Sequence, residues 1–89
     1  MLVVQEPKDL LNYINYDLGY SEWVLIDQKK IDDFAAVTGD HQWIHVDTKK
    51  AETIMPGGKT IAHGLLTLSM TVAMGAEVLE IKEVKQSIN

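Results

Sequence analysis

Hydrophobic and polar residues follow two kinds of pattern along the chain, and together these predict several helices and one strand. Apolar side chains three or four positions apart mark one face of a helix, whereas a short run rich in Trp, Val, Leu and Ile is typical of a strand. Proline favours the first turn of a helix. In chain order the pattern predicts a short helix from Pro7 to near Gly19, a strand over residues 21–27, a helix over 28–37, a short helix through Ala51 and Glu52, and a long helix over 64–81.

Residues with capping chemistry lie at the predicted helix ends. Asp27 is suited to cap the helix over 28–37, and Gly39 to end it in a left-handed conformation. Asp47 or Thr48 can cap the next helix. The final residues, 82–89, resemble the entry to a strand that is not continued.

The long predicted helix over 64–81 is apolar on nearly every face. Polar residues interrupt it and no basic cluster flanks it closely, so the pattern favours a buried core helix over a membrane span. One strand cannot wrap such a helix. We therefore expect the chain to dimerise through this helix, to be completed by another chain that carries strands, or to aggregate.

Composition narrows the class of protein. The chain has 89 residues, enough for one small domain, and 46% of them are hydrophobic, which predicts a globular core. The net charge of −5, with no arginine, argues against nucleic acid as a partner. There is no cysteine, so disulfide and thiolate chemistry are excluded. The N-terminus lacks the pattern of a signal peptide, and we expect a cytoplasmic protein.

Candidate chemistry concentrates in two places. Asp40 and His45 lie close together in an irregular segment over residues 40–46, and a carboxylate near an imidazole can act as an acid/base pair. Further on, His63 and Gly64 open the long helix as candidate oxyanion or substrate-binding residues, because a bare backbone N–H there can meet developing negative charge. Taken singly, each residue has a structural alternative: the aspartate as a turn former, His45 as an ordinary core or surface histidine, and His63 as a residue that orients its loop.

The residue types also raise the questions of a metal site, a cofactor and a further substrate contact. A metal site built from Asp40, His41, His45 and Asp47 fits no standard zinc spacing, so no metal is expected. No cofactor is expected either. Ser69 can face the site as a substrate-binding residue, or it can bond back to a carbonyl of its own helix.

The two segments together resemble a known family. The run Phe34-x-x-Val37-Thr38-Gly39-Asp40-x-x-x-Ile44-His45-Val46-Asp47 resembles the hydratase motif of MaoC-like dehydratases and (R)-specific enoyl-CoA hydratases, and Gly58-Lys59-Thr60-Ile61-Ala62-His63-Gly64-Leu65-Leu66 resembles that family's second block. The sequence Asp-His-Gln-Trp-Ile-His, residues 40–45, is most similar to the branch of the family that includes nodulation protein N.

The resemblance implies an α+β fold of the hot-dog type, in which an antiparallel sheet wraps a long central helix, here residues 64–81. It implies that Asp40 and His45 activate a catalytic water and that the Gly64 N–H holds a thioester oxygen. The substrate would be an acyl-CoA or acyl-carrier-protein thioester, and the protein would be a homodimer or be completed by another chain. Neither nucleic acid nor membrane would be a partner.

Two departures from the family pattern bear on these expectations. Gln42 and Trp43 stand where the family commonly has Asn-Pro, which affects the expected acyl-chain preference. The chain also ends at Asn89, where the family continues with more strands, so residues 1–89 are expected to be the N-terminal part of a hot-dog domain. The alternatives to a hydratase are a catalytically silent module completed by another chain and a non-catalytic acyl-thioester-binding protein.

Overall fold

Helices predominate in the computed structural model, which describes residues 1–84, and a sheet of two strands accompanies them. The predicted mixture of α and β structure is therefore confirmed. Within the described range the chain forms two compact units, one from Val24–Met70 and one from Met1–Trp23 together with the residues that follow from Thr71. The elements are β1 (Leu2–Val4), a 3₁₀ helix (Pro7–Tyr13), α1 (Gln28–Thr38), α2 (Trp43–Val46), α3 (Thr48–Ile54), a 3₁₀ turn (Pro56–Gly58), α4 (Gly64–Ala76) and β2 (Leu79–Ile81).

The ends of α1 are as the sequence predicts. The Asp27 carboxylate accepts a hydrogen bond from the Lys30 N–H at 3.0 Å, which satisfies one of the free donors of the first turn. Gly39 ends the helix with φ of 82°, and its N–H donates to the Ala35 carbonyl at 2.8 Å. Ile31 and Ala35 are buried and anchor the inner face.

Between α1 and α3 the chain is more regular than predicted. The sequence predicts an irregular segment over residues 40–46, yet its last four residues form the single helical turn α2. The Asp47 N–H closes this turn on the Trp43 carbonyl at 2.9 Å. Asp47 also caps α3, because its carboxylate accepts from the Lys50 N–H at 3.0 Å. The predicted cap and short helix are thus confirmed.

The first predicted helix is shorter and tighter than expected. It is a 3₁₀ helix that ends at Tyr13 rather than near Gly19. A helix is stabilised mainly by packing of an apolar face, and here Leu11 and Ile14 are both 73% exposed. Without that packing, the proline at the start and the spacing of the leucines are sufficient only for a short 3₁₀ helix.

The prediction of a strand over residues 21–27 is wrong. The backbone of this segment is irregular and pairs with no strand of the described range. Trp23 is 101% exposed and Leu25 is 73% exposed. Strand propensity reflects packing on a sheet surface, so a β-prone sequence without a neighbouring strand stays irregular.

The long predicted helix ends at Ala76, and its expected last turn is instead β2. An apolar run does not distinguish a buried helix from a strand by period alone. The partner of β2 is β1, which the sequence did not predict, with Leu2 opposite Leu79 and Val4 opposite Ile81. The rest of the predicted C-terminal strand entry, residues 85–89, lies outside the described residues.

The two strands are parallel, whereas the expected sheet was antiparallel. Parallel pairing needs a long crossover between the strands, and here all the helices of the described range lie between β1 and β2. The expectation came from the family resemblance, and nothing in three-residue strands signals their direction.

Most of the large apolar residues of α4 are at least partly exposed to solvent. Leu66 is buried, but Leu65, Leu68 and Val72 are each more than 60% exposed. Across the described residues, none of the helices is both long and apolar enough to cross a membrane.

Candidate active site

A cavity of about 150 Å³ lies at the N-terminus of α4. It brings together four of the five predicted site residues, namely Asp40, His45, His63 and Gly64. The fifth, Ser69, is exposed further along α4 and does not line the cavity. The complete lining consists of Phe34, Thr38, Asp40, His45, His63, Gly64 and Leu65.

His45 lies on the turn α2 and is 7% exposed. Its Nδ1 lies 2.7 Å from the Ile61 carbonyl oxygen. Because a carbonyl can only accept, Nδ1 carries the proton in this contact. A neutral His45 therefore has its basic lone pair on Nε2, which is the arrangement that a general base requires.

His63 is the most buried of the polar site residues, at 3% exposure. Its Nε2 lies 3.0 Å from the backbone oxygen of Asp40 and donates to it, which fixes the loop that carries this aspartate. Its Nδ1 is buried and has no hydrogen-bond partner among the described residues. The ring stacks on His45 at 3.8 Å between centroids and contacts Phe34 at 4.9 Å.

Asp40 is exposed at the edge of the cavity. One carboxylate oxygen accepts from the Gln42 N–H at 3.4 Å, and the Asp40 N–H donates to the Thr38 hydroxyl at 3.3 Å. The turn-forming alternative is therefore part of its role. The same side chain also reaches the two histidines, because one ligand-type atom from each of Asp40, His45 and His63 lies within 4.8 Å of the others.

This cluster is ill suited to a metal ion, although its residue types could bind one. A zinc ion lies about 2.0–2.1 Å from each imidazole nitrogen, close to the plane of the ring. Two rings stacked at 3.8 Å with 22° between their planes cannot both present an in-plane lone pair to one ion. The four residues considered from sequence do not come together either, since Asp47 caps α3 and His41 is exposed outside the cavity lining.

Gly64 is the first residue of α4, so its N–H belongs to the first turn and has no acceptor within the helix. Among residues 1–84, no other backbone or side-chain oxygen accepts from it. His63 precedes the helix, and its carbonyl accepts a hydrogen bond from the Leu66 N–H at 3.1 Å. A free N–H at the positive end of a helix, on the wall of a cavity that also holds a carboxylate and an imidazole, can stabilise an oxyanion.

Sequence reasoning did not identify Phe34, Thr38 and Leu65 as cavity-lining residues. Phe34 and Thr38 belong to the quoted motif, but their positions in the sequence are also those of a core residue and of a residue at a helix end. Only the chain path between α1 and α4 brings them to one wall.

The chain belongs to the MaoC-like domain family, whose model matches residues 9–86. It is 40% identical over 89 residues to 3-hydroxyacyl-thioester dehydratase Z of Mycobacterium tuberculosis (strain ATCC 25618 / H37Rv). It is 52% identical over 66 residues to nodulation protein N of Rhizobium leguminosarum bv. viciae, and 46% identical over 66 residues to that of Rhizobium meliloti (strain 1021).

These relatives are longer proteins. The match takes in 100% of this chain but 58% of the dehydratase, and 74% of this chain but 41% of either nodulation protein. Both the candidate site and the free helix N-terminus fall within the matched family domain.

Proposed function

We propose that the protein of which these 89 residues form at least a part is a hydratase or dehydratase of acyl thioesters, with Asp40 and His45 as its acid/base pair and Gly64 as its oxyanion donor. The observation that carries the proposal is the cavity that joins these three residues. Membership of the MaoC-like family supports it, as does the dehydratase activity in the name of one relative.

In the hydration direction, His45 Nε2 takes a proton from a water molecule as the water oxygen bonds to C3 of an enoyl thioester. The electron pair of the C2=C3 bond moves toward the carbonyl, whose oxygen gains negative charge. The Gly64 N–H donates to that oxygen in the transition state. The proton is then returned through the Asp40/His45 pair to C2, so that water has added across the double bond and nothing else has changed.

Dehydration is the same path in reverse, with the pair removing the C2 proton and returning it to the departing 3-hydroxyl. The name 3-hydroxyacyl-thioester dehydratase describes this direction for the mycobacterial relative. His63 has a supporting role in the proposal, since it fixes the Asp40 backbone and stacks on His45. Ser69 would contribute to substrate binding only in a complete protein whose further residues brought substrate to it.

The finer features of the proposal follow from the family. The complete protein would adopt the hot-dog fold with α4 as the central helix and would act as a dimer or together with a further chain. Its substrate would be carried by coenzyme A or by acyl carrier protein, and it would work in the cytoplasm. The exposed apolar positions of α4 are consistent with a helix that further strands cover.

An assay of crotonyl-CoA hydration, monitored through the loss of enoyl absorbance, tests the proposed hydratase activity. Asp40→Asn and His45→Gln should each lower turnover by about 10²-fold or more, because each removes a proton-transfer group. His41→Gln is the matched control, since this exposed histidine lies outside the cavity lining, and it should leave turnover unchanged.

Near-full activity in both site variants would exclude the acid/base pair. Binding of crotonyl-CoA without any turnover would instead favour a non-catalytic acyl-thioester-binding protein. If neither binding nor turnover occurs, the protein is not an acyl-thioester enzyme in the form tested.

A further inference from the structure

We propose that Gln28 and Thr60 act together as positioning residues for the candidate acid/base site, by joining the turn that carries His45 to the segment that carries His63 and Gly64. We call this pair the Gln28–Thr60 clamp. Its effect on catalysis rests on the proposed function, whereas its effect on the His45 side chain does not.

The Gln28 carboxamide makes three hydrogen bonds. Its NH₂ group donates to the His45 backbone carbonyl at 2.8 Å and to the Asp32 carboxylate at 2.9 Å, and its oxygen accepts from the Thr60 hydroxyl at 2.6 Å. This uses both amide protons and the amide oxygen, and the opposite orientation would set oxygen against two acceptors. The orientation of the side chain is therefore determined by its partners.

The two segments that the clamp joins are the two halves of the site. His45 lies on α2, and Thr60 begins the four residues that lead to Gly64 at the start of α4. A second set of bonds lies beside the clamp, since the Ile61 N–H donates to the Ile44 carbonyl at 3.0 Å and His45 Nδ1 donates to the Ile61 carbonyl at 2.7 Å. The carbonyl that holds the His45 ring thus belongs to the residue next to Thr60.

Loss of the clamp frees residues 60–63 to move relative to α2. That movement displaces the Ile61 carbonyl, and with it the hydrogen bond that places the proton on His45 Nδ1. It also displaces His63 and Gly64, the latter being the proposed oxyanion donor. A misplacement of about 1 Å at a reacting group can cost roughly 10²-fold in rate, so a half-buried glutamine outside the cavity lining can affect turnover.

Thr60→Val tests the clamp with little change of shape, because it removes the hydroxyl donor and keeps the branched side chain. Thr60→Ser keeps the hydroxyl and should restore wild-type behaviour. Gln28→Ala removes the other half, and Gln5→Ala is its control, since within residues 1–84 the Gln5 side chain bonds only to the exposed Glu83. We expect Thr60→Val and Gln28→Ala to lower kcat for crotonyl-CoA by about tenfold or more with KM changed less than about threefold.

A second readout does not depend on turnover. In ¹⁵N-labelled protein, the His45 Nδ1–H bonded to Ile61 should give an imidazole proton signal that exchanges slowly with water. Thr60→Val and Gln28→Ala should speed its exchange by about tenfold, whereas Thr60→Ser and Gln5→Ala should not. If Gln28→Ala fails to fold, the Thr60 pair alone carries the comparison.

Slow exchange in the wild type with faster exchange in Thr60→Val establishes the clamp, even if crotonyl-CoA is not hydrated and the proposed function fails. Equal exchange and equal kcat in Thr60→Val and Thr60→Ser would overturn the clamp while leaving the proposed function intact. An equal loss in Thr60→Val and Thr60→Ser would also overturn it, because the hydroxyl would then not be the responsible group.

Discussion

At the scale of single residues, backbone carbonyls determine what the two buried histidines can do. The Ile61 carbonyl accepts a hydrogen bond from His45 Nδ1–H, and the Asp40 carbonyl accepts one from His63 Nε2–H. Each ring therefore has one nitrogen committed to the backbone and one lone pair left. In His45 that lone pair serves the proposed base, whereas in His63 it is buried without a partner. The two histidines are thus chemically distinct although their rings are stacked.

The Gly64 N–H can be removed without disturbing the start of α4. Gly64→Pro eliminates this donor, and proline is well tolerated at the first helical position. We expect kcat for crotonyl-CoA to fall by about 10²–10³-fold, as for loss of one oxyanion donor, while the circular dichroism spectrum is retained.

Gly64→Ala is the matched control for that variant. It keeps the N–H, and an added Cβ would meet no atom within 4 Å. The kcat of this variant should stay within about threefold of the wild type, because the proposed oxyanion donor is unchanged. Equal kcat values for the alanine and proline variants would show that the N–H does not act on the substrate.

At the scale of elements, helix ends are set by local chemistry. Asp27 and Asp47 cap α1 and α3 through bonds to an N–H three residues on, and Gly39 ends α1 in the left-handed region. These interactions are contained within a few neighbouring residues, so the sequence predicts them well.

The ion pair of Lys29 and Asp33 on α1 is equally local. The hydrogen bond to Asp33 and the charge of its carboxylate raise the pKa of Lys29, but the pair lies in solvent and contributes little to stability.

The same substitution should have opposite effects at two glycines. Gly39→Ala introduces a side chain at φ of 82° and should lower the free energy of unfolding by about 1 kcal/mol, although no atom blocks the new Cβ. Gly75→Ala lies within α4 with open space around it and should raise that free energy by about 0.5–1 kcal/mol. Urea unfolding of both variants measures the difference, and effects of the same sign would contradict it.

At the scale of the whole molecule, many large apolar side chains remain exposed in the 89-residue chain. On α4 they form a row at Leu65, Leu68 and Val72, spaced three and four residues apart. Burial of a leucine is worth about 1.5–3 kcal/mol, so a row of this kind favours association with any apolar surface.

Sedimentation of the purified 89-residue chain at micromolar concentration should therefore reveal association beyond the monomer. Leu68→Ser with Val72→Ser should weaken it by at least about tenfold in dissociation constant, because each removes apolar area from the row. Leu11→Ser, at a residue 73% exposed on the 3₁₀ helix, is the control and should have a smaller effect. A monomer with cooperative unfolding would exclude this expectation.

The sequence by itself determined the features that depend on near neighbours. The caps of α1 and α3, the left-handed end at Gly39 and the start of α4 at Gly64 were all predicted, since each depends on residues within a few positions. It also pointed to Asp40, His45, His63 and Gly64, because their types and order match a family motif.

Tertiary structure alone decided the features that depend on distant residues. Residues 21–27 stay irregular and Leu79–Ile81 form a strand because strand formation requires a partner, and β1 is available only to the latter within the described chain. In the same way, the proton on His45 Nδ1 depends on Ile61, and the joining of the two halves of the site depends on Gln28 and Thr60. Hydrogen bonds between residues 16 and 32 positions apart leave no periodic trace in a sequence, so only the folded chain reveals them.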